Sequence, residues 1–434
     1  MPTKDHHGIV LSGANSMAAE FYRFALNSYH CYAGDAPGFA EAAIDVAPDF
    51  LMAHVLKAYM NLIGGTAEQA QVGVAAFETA RRLPATSREQ GHLAALDRLL
   101  AGEIRAAARI LEDVSIACPR DSLALLVGQN LDFLLGDSRM MRDRIARAMP
   151  AWSRDTPDYH AMLGMYAFGL EEMGDYARAE AAGREAVALQ PRNNWAQHAV
   201  AHVLEMEDRR EEGVAWMTQD GQPWVEESFF AIHNWWHLAL FHIGLGDTEA
   251  ALELFDGPIF GPRSGAAFDM IDAAALLWRL SLRGVVVGQA RWDAVADVFE
   301  TQPAGGYAFT DAHRMMALVS AGREDAAREL LDLQAAALEA PGDNAMFVRE
   351  AGLAVSRAVH AFGHGDYARA VELLRGVRNQ AARFGGSHAQ RDLLDQTLIV
   401  AAGRAGEHSL EQALLAERRA AKPLVRREGR RLAA

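Results

Sequence analysis

The chain has 434 residues, a formal net charge of −15, half of its residues hydrophobic, and only two cysteines, Cys31 and Cys118. That acidic balance is unsuited to general nucleic-acid binding, which needs a basic footprint, and two distant thiols make neither a disulfide framework nor a cysteine-based metal site. No run reaches the ~18 apolar residues of a membrane span, and the opening stretch MPTKDHHG lacks the apolar core of a secretory signal, so a cytoplasmic protein with no nucleic-acid or membrane partner is expected.

Taken in order, the chain reads as helix pairs. Alanine is abundant and β-branched residues are sparse, which favours helix over strand. Residues 16–48 and 50–84 give two degenerate pairs, each ending at a proline. Gly102 then punctuates a unit that closes at Pro119, and the same turn signal returns at Gly136, Gly174, Asp208, Gly246, Gly322, Gly365 and Gly406. A weaker unit around Leu276 to Gly284 fills the gap between Gly246 and Gly322, so successive turns stand 34 to 43 residues apart.

The clearest unit runs over 159–191. Leu163, Tyr166, Ala167 and Leu170 mark its first helix, Gly174 its turn, Ala179 and Ala186 its second helix, and Pro191 its end. Large, small and aromatic positions in this order fit the tetratricopeptide pattern, in which small residues let two helices approach and proline stops the second. Inserts rich in Gly, Pro or polar residues fall at 218–224, 257–265 and 302–307. The expected fold is all-α, a right-handed solenoid of tetratricopeptide-like antiparallel helix pairs, one domain over residues 1–421. Residues 422–434 read as a basic, frayed tail. Such a chain can form a homo-oligomer.

Two adjacent first helices carry chemistry beyond packing. In NNWAQHAVAHVLE (193–205), Trp195, His198, His202 and Glu205 recur at helical spacing and share one stripe. In FFAIHNWWHLALFH (229–242), His233 and Trp236 share a face with His237 at its flank, while His242 falls on the packing side. Counting back from the turns places both stripes towards a concave groove. The matching positions of the preceding unit are Ala161, Gly164, Phe168 and Glu171, with Phe168 as a wall. His388 and Arg391, in GGSHAQRD (385–392), can face the same groove from its far end, on a helix with Ser387 as its N-cap. His54 and His313 are isolated and read as satisfied histidines. The stretch Gly8 to Gly13 has glycines at phosphate-loop spacing, but Ala14 stands where that motif needs lysine.

Three readings fit the His-rich stripes. His198, His202, His233 and His237 can ligate a divalent transition metal such as zinc, although HAVAH lacks the glutamate of the zinc-protease motif. Without a metal, His198, His202, Glu205, His233 and His237 can act as acids and bases, with Trp195, Trp236, Phe168, Glu171, His388 and Arg391 binding the ligand. The same side chains can also simply fill gaps between repeats. The functions expected are therefore binding of a small molecule or short peptide in this pocket, a hydrolase- or lyase-type enzyme using the same residues, or a pure protein-interaction scaffold.

The segments LGMYAFGLEE (163–172), WAQHAVAHVLEM (195–206), HNWWHLALFH (233–242) and GGSHAQRD (385–392), with PDFLMAH (48–54), resemble the tetratricopeptide repeat protein 38 family. The blocks lie in order and cover nearly the whole chain. The resemblance implies an all-α repeat fold; it brings no catalytic scheme to place on individual residues.

Overall fold

The protein is described by a computed structural model that covers residues 2–219, 223–225 and 227–421. The stretch read above as a basic tail, and part of the 218–224 insert, lie outside the described residues. Regular structure among the described residues is helical, apart from two isolated bridges, Lys4 to Val10 and Ala33 to Ser228.

The helices follow the turn signals. Ser87–Leu100 pairs with Ile104–Ala117, Ser122–Leu134 with Ser138–Ala148, and Tyr159–Glu171 with Tyr176–Leu189. Asn194–Met206 precedes Arg210–Met217, and Ala231–Leu245 precedes Thr248–Leu254. Further on come Ala267–Leu282 before Gln289–Glu300, Ala308–Ser320 before Glu324–Ala337, Leu353–Gly363 before Tyr367–Val377, and His388–Arg404 before His408–Ala421. These are the helix pairs that the spacing predicts. The insert at 257–265 begins inside a wide, π-type turn, Phe255–Ile259, which extends Thr248–Leu254 and contains Pro258.

One backbone device closes the first helix of each pair. Gly102, Gly136, Gly174, Gly246, Gly284, Gly322, Gly365 and Gly406 all have positive φ, and the next residue's N–H reaches back five residues, as from Asp175 to Leu170 at 2.9 Å. This is the left-handed helix end that glycine adopts at least cost. Asp208 does the same job at φ 60, with Arg209 N–H donating to Leu204 O at 2.8 Å, because Asp tolerates that region better than most side-chain-bearing residues. Capping boxes start other helices: Thr66 with Gln69, Thr86 with Glu89, and Ser387 with Gln390.

The chain forms two compact units, Met1–Val200 with Asp220–Ala231, and Ala201–Gln219 with Ile232–Ala434. In the first unit, Leu163, Ala186 and Ala196 form a buried cluster with Ala182 and Val187 against it. Gly183 is packed so closely that a Cβ there would lie 2.6 Å from Val200 Cγ2. In the second unit the Ala267–Leu282 helix is buried almost throughout, and it carries Asp272 and Arg279 into the interior.

Candidate metal and ligand site

The second unit gathers His202, His233 and His237. Each offers a ring nitrogen within 4.8 Å of the others'. The i, i+4 spacing of His233 and His237 puts both rings on one face of the Ala231–Leu245 helix, with their Nε2 atoms 3.3 Å apart. The His202 ring lies 4.5 Å from that of His237, centroid to centroid. Trp236 stacks on His233 at 5.3 Å and 15°. The three histidines are buried, not spread over an open face, and His202 and His237 are wholly inaccessible.

His233 is oriented by a carboxylate. Its Nδ1–H donates to Asp272 Oδ2 at 2.7 Å, which turns Nε2 towards His237. Burial pushes the Asp272 carboxyl up, against the pull of His233. Asp269, one turn earlier on the same helix, is pushed up to about 6, mainly by burial. The His237 ring sits well below the usual histidine range, first from burial and then from the neighbouring His202, His233 and Arg279. It is therefore neutral near pH 7, and a neutral imidazole is the form that binds metals.

Arg279 links this cluster to the predicted far side. Its guanidinium lies 5.8 Å from the Trp236 ring centre, and Nη2–H donates to Ala389 O at 2.6 Å. Nη1 is 3.5 Å from Asp392 Oδ2. Glu205, one turn beyond His202, also acts on Arg279 through its charge. His388 and Arg391 line a cavity of about 440 Å³ with Arg378, Asp392, Asp395 and Arg418, and Ser387 caps their helix as expected. Much of that charge is paired internally: Arg418 holds Asp392 with two contacts, and Arg378 holds Asp395 at 2.9 Å. Two polar groups near the histidines have no hydrogen-bond partner among the described residues, the Asn234 amide and the Trp236 indole N–H, both fully buried.

Of the other expected residues, Trp195, His198, Phe168, Glu171 and His54 belong to the first unit, and His242 and His313 to the second. His198 is boxed by rings, with Phe168 at 5.3 Å, Trp195 at 5.0 Å and Phe230 at 5.1 Å. Tyr32 stacks on Trp195 at 5.1 Å and 16°, so one indole face is taken by the protein itself. Phe168 and Glu171 are buried on the Tyr159–Glu171 helix. His242 sits apart, 3.3 Å from Asp247. His54 donates from Nε2 to Pro48 O at 2.8 Å, and His313 from Nδ1 to Phe309 O at 2.8 Å.

Sequence reasoning missed Asp269, Asp272 and Arg279. Their signal was present: AFDMIDAAALLWRL (267–280) is an apolar helix interrupted by two acids and a base, and charges in a buried helix must be paired or used.

No family model matches the chain. Among solved structures it is similar to the crystal structure of yeast Tom70, with a TM-score of 0.43 and 10% sequence identity, over 91% of this chain and 88% of that one. No helix among the described residues is long and apolar enough to cross a membrane.

Proposed function

We propose that this helical-repeat protein, which resembles the tetratricopeptide repeat protein 38 family, holds a divalent transition metal on His202, His233 and His237 and binds a small polar molecule there. The observation that carries this reading is the His233–His237 pair with Asp272 behind it. Two nitrogens ligating one zinc at ordinary bond lengths in tetrahedral geometry stand about 3.3 Å apart, and the two Nε2 atoms are 3.3 Å apart. A carboxylate on the far nitrogen of a ligating histidine fixes its tautomer and raises its basicity, and Asp272 stands at that position on His233.

Three protein ligands leave a fourth position for water or a ligand group, the arrangement of catalytic rather than structural zinc. The Asn234 amide and Trp236 indole N–H, buried on the same helix without a hydrogen-bond partner among the described residues, are polar groups that a bound molecule would satisfy. An enzyme of hydrolase or lyase type follows if the fourth ligand is an activated water, with Asp269 or Glu205 within the same unit to take a proton.

Metal analysis and zinc titration of the full chain test this. One equivalent should be lost in His233→Ala/His237→Ala, with the helical signal retained. Equal metal content in parent and variant would overturn the reading. The alternative, a protein-interaction scaffold, rests on the repeat architecture itself, since stacked helix pairs offer extended surfaces to partners. It predicts partner binding that is indifferent to both histidines.

A further inference from the structure

The first unit holds a separate cluster that the site above does not use. His6 Nε2 lies 2.6 Å from Asp158 Oδ2, and His7 Nε2 lies 3.4 Å from the same oxygen. The two imidazoles stand 4.0 Å apart, centroid to centroid. His7 is almost wholly buried, with its ring edge-on to Trp152 at 5.0 Å, and His6 keeps an exposed edge. We propose that His6, His7 and Asp158 form a second site for a divalent transition metal, zinc being the best match to two imidazoles and a carboxylate, and that the metal clasps residues 4–10 to the start of the Tyr159–Glu171 helix.

Local structure is arranged to deliver these donors. Asp5 Oδ1 accepts the backbone N–H groups of His7 at 2.9 Å and Ile9 at 2.8 Å. That turn, closed by the Lys4 to Val10 bridge, presents two consecutive histidines to one carboxylate. Asp158 occupies the N-cap of its helix with φ 59, yet its side chain makes no capping hydrogen bond. An N-cap aspartate ordinarily spends its carboxylate on the first-turn N–H groups. Here the left-handed backbone turns the carboxylate away from the helix and towards the histidines. Its second oxygen, Oδ1, accepts from Asn27 Nδ2 at 3.0 Å, the outer-sphere support that metal-binding carboxylates usually have.

Two imidazole nitrogens converge on one carboxylate oxygen, the donor set and arrangement of ligands around a single dication. Ligands of a tetrahedral zinc stand about 3.3 Å apart, so the His7–Asp158 distance needs no change and the His6–Asp158 contact need only open slightly. His160 is already engaged, its Nδ1 accepting from Asn193 at 3.1 Å.

The test uses the full chain carrying His233→Ala/His237→Ala, so that the site in the other unit is silent. After chelation and buffer exchange, zinc is titrated by calorimetry and bound metal is counted. One equivalent should remain, weakened at least about 100-fold by His6→Ala/His7→Ala and about 10-fold by Asn27→Ala, a loss of carboxylate support. Zinc should also slow proteolytic cleavage within residues 4–10 in the parent and not in His6→Ala/His7→Ala. If the silent background fails to fold, His6→Ala/His7→Ala in the otherwise unaltered chain should bind one equivalent fewer than the parent. Absence of an equivalent in the background, or an equivalent indifferent to His6 and His7, would overturn the proposal. The indifferent equivalent would point instead to the more exposed Glu324, His360 and His364 group.

Discussion

Asp132 in the first unit and Asp272 in the second are equally buried and do opposite things with their oxygens. Asp132 gives both to one guanidinium, Oδ2 to Arg144 Nε at 2.7 Å and Oδ1 to Nη2 at 2.9 Å, and Arg144 also donates to Ala108 O at 3.1 Å. Burial still pushes the Asp132 carboxyl up to about 6, against the pull of Arg144. Asp272 gives one oxygen to a histidine, and its Oδ1 has no hydrogen-bond partner among the described residues. The first carboxylate is consumed in holding helices together. The second gives one oxygen to a single imidazole ring, which it orients. Burial of charge alone therefore does not mark function; the identity of the partner does.

The largest expected effect falls on the structural carboxylate. Arg144→Leu leaves Asp132 buried without its counter-charge and should destabilise the fold by about 3–5 kcal/mol, read from chemical unfolding, with zinc stoichiometry unchanged in the folded variant. Asp132→Leu/Arg144→Leu should recover most of that loss, because no unpaired buried charge remains. A single variant that costs less than about 1 kcal/mol, the range of an exposed ion pair, would erase the distinction between the two carboxylates.

The fold was legible because its signals are local. A glycine at most left-handed helix ends and Asp208 at one, alanines at the close contacts and prolines at the ends all act within a few residues, so their spacing alone placed the pairs. His202, His233 and His237 were legible for the same reason: two helix-periodic stripes carry them. Asp272 was not assigned because it reaches His233 from a helix 39 positions further on, and nothing in its own neighbourhood says which ring it will meet. The cluster of His6, His7 and Asp158 was harder still, since its halves are 152 positions apart. Trp195 and His198 show the converse: they share a helical stripe, but Tyr32, which stacks on the indole, lies far away in the sequence.

His313 sharpens the comparison as a buried histidine with no carboxylate on its ring. It donates to the Phe309 carbonyl, and burial lowers its pKa to about 4. The folded value lies below the ordinary 6.5, so the folded state favours the neutral ring. The stability this residue contributes is present above pH 6.5 and is lost as the pH falls towards 4. A shift of this size corresponds to about 3 kcal/mol. The acid limb of the unfolding profile should flatten between pH 6.5 and 4 in His313→Leu relative to the parent. Parallel profiles would mean that the ring is solvated when it protonates.

Asp272→Asn tests the functional half directly. An amide can still accept from His233 Nδ1–H, so the ring should stay in place while the negative charge behind it is lost. Zinc affinity should fall about 10- to 100-fold, with little change in unfolding midpoint for the metal-free chain. The contrast with Arg144→Leu is the point of the experiment, since one substitution moves stability without metal binding and the other does the reverse. If Asp272→Asn instead unfolds the chain and spares zinc affinity, Asp272 belongs with Asp132.

The smallest effect concerns the packing that carries neither charge nor site. At Gly183 an added Cβ would meet Val200 Cγ2 at 2.6 Å and Ala167 Cβ at 3.6 Å. Two terms oppose each other in Gly183→Ala. Alanine improves helix propensity by about 1 kcal/mol, whereas overpacking a tight contact costs about 1–3 kcal/mol. Val200 is β-branched and cannot swing its methyl aside without leaving its preferred rotamer, so the clash should win by about 1 kcal/mol. Removing that methyl reverses the sign: in a Val200→Ala background, Gly183→Ala should stabilise, and the double-mutant cycle should show coupling of about 2 kcal/mol. Zinc affinity should stay constant around the whole cycle. A coupling near zero would mean that the two helices relax apart, and that the small residues at this crossing are tolerated rather than required.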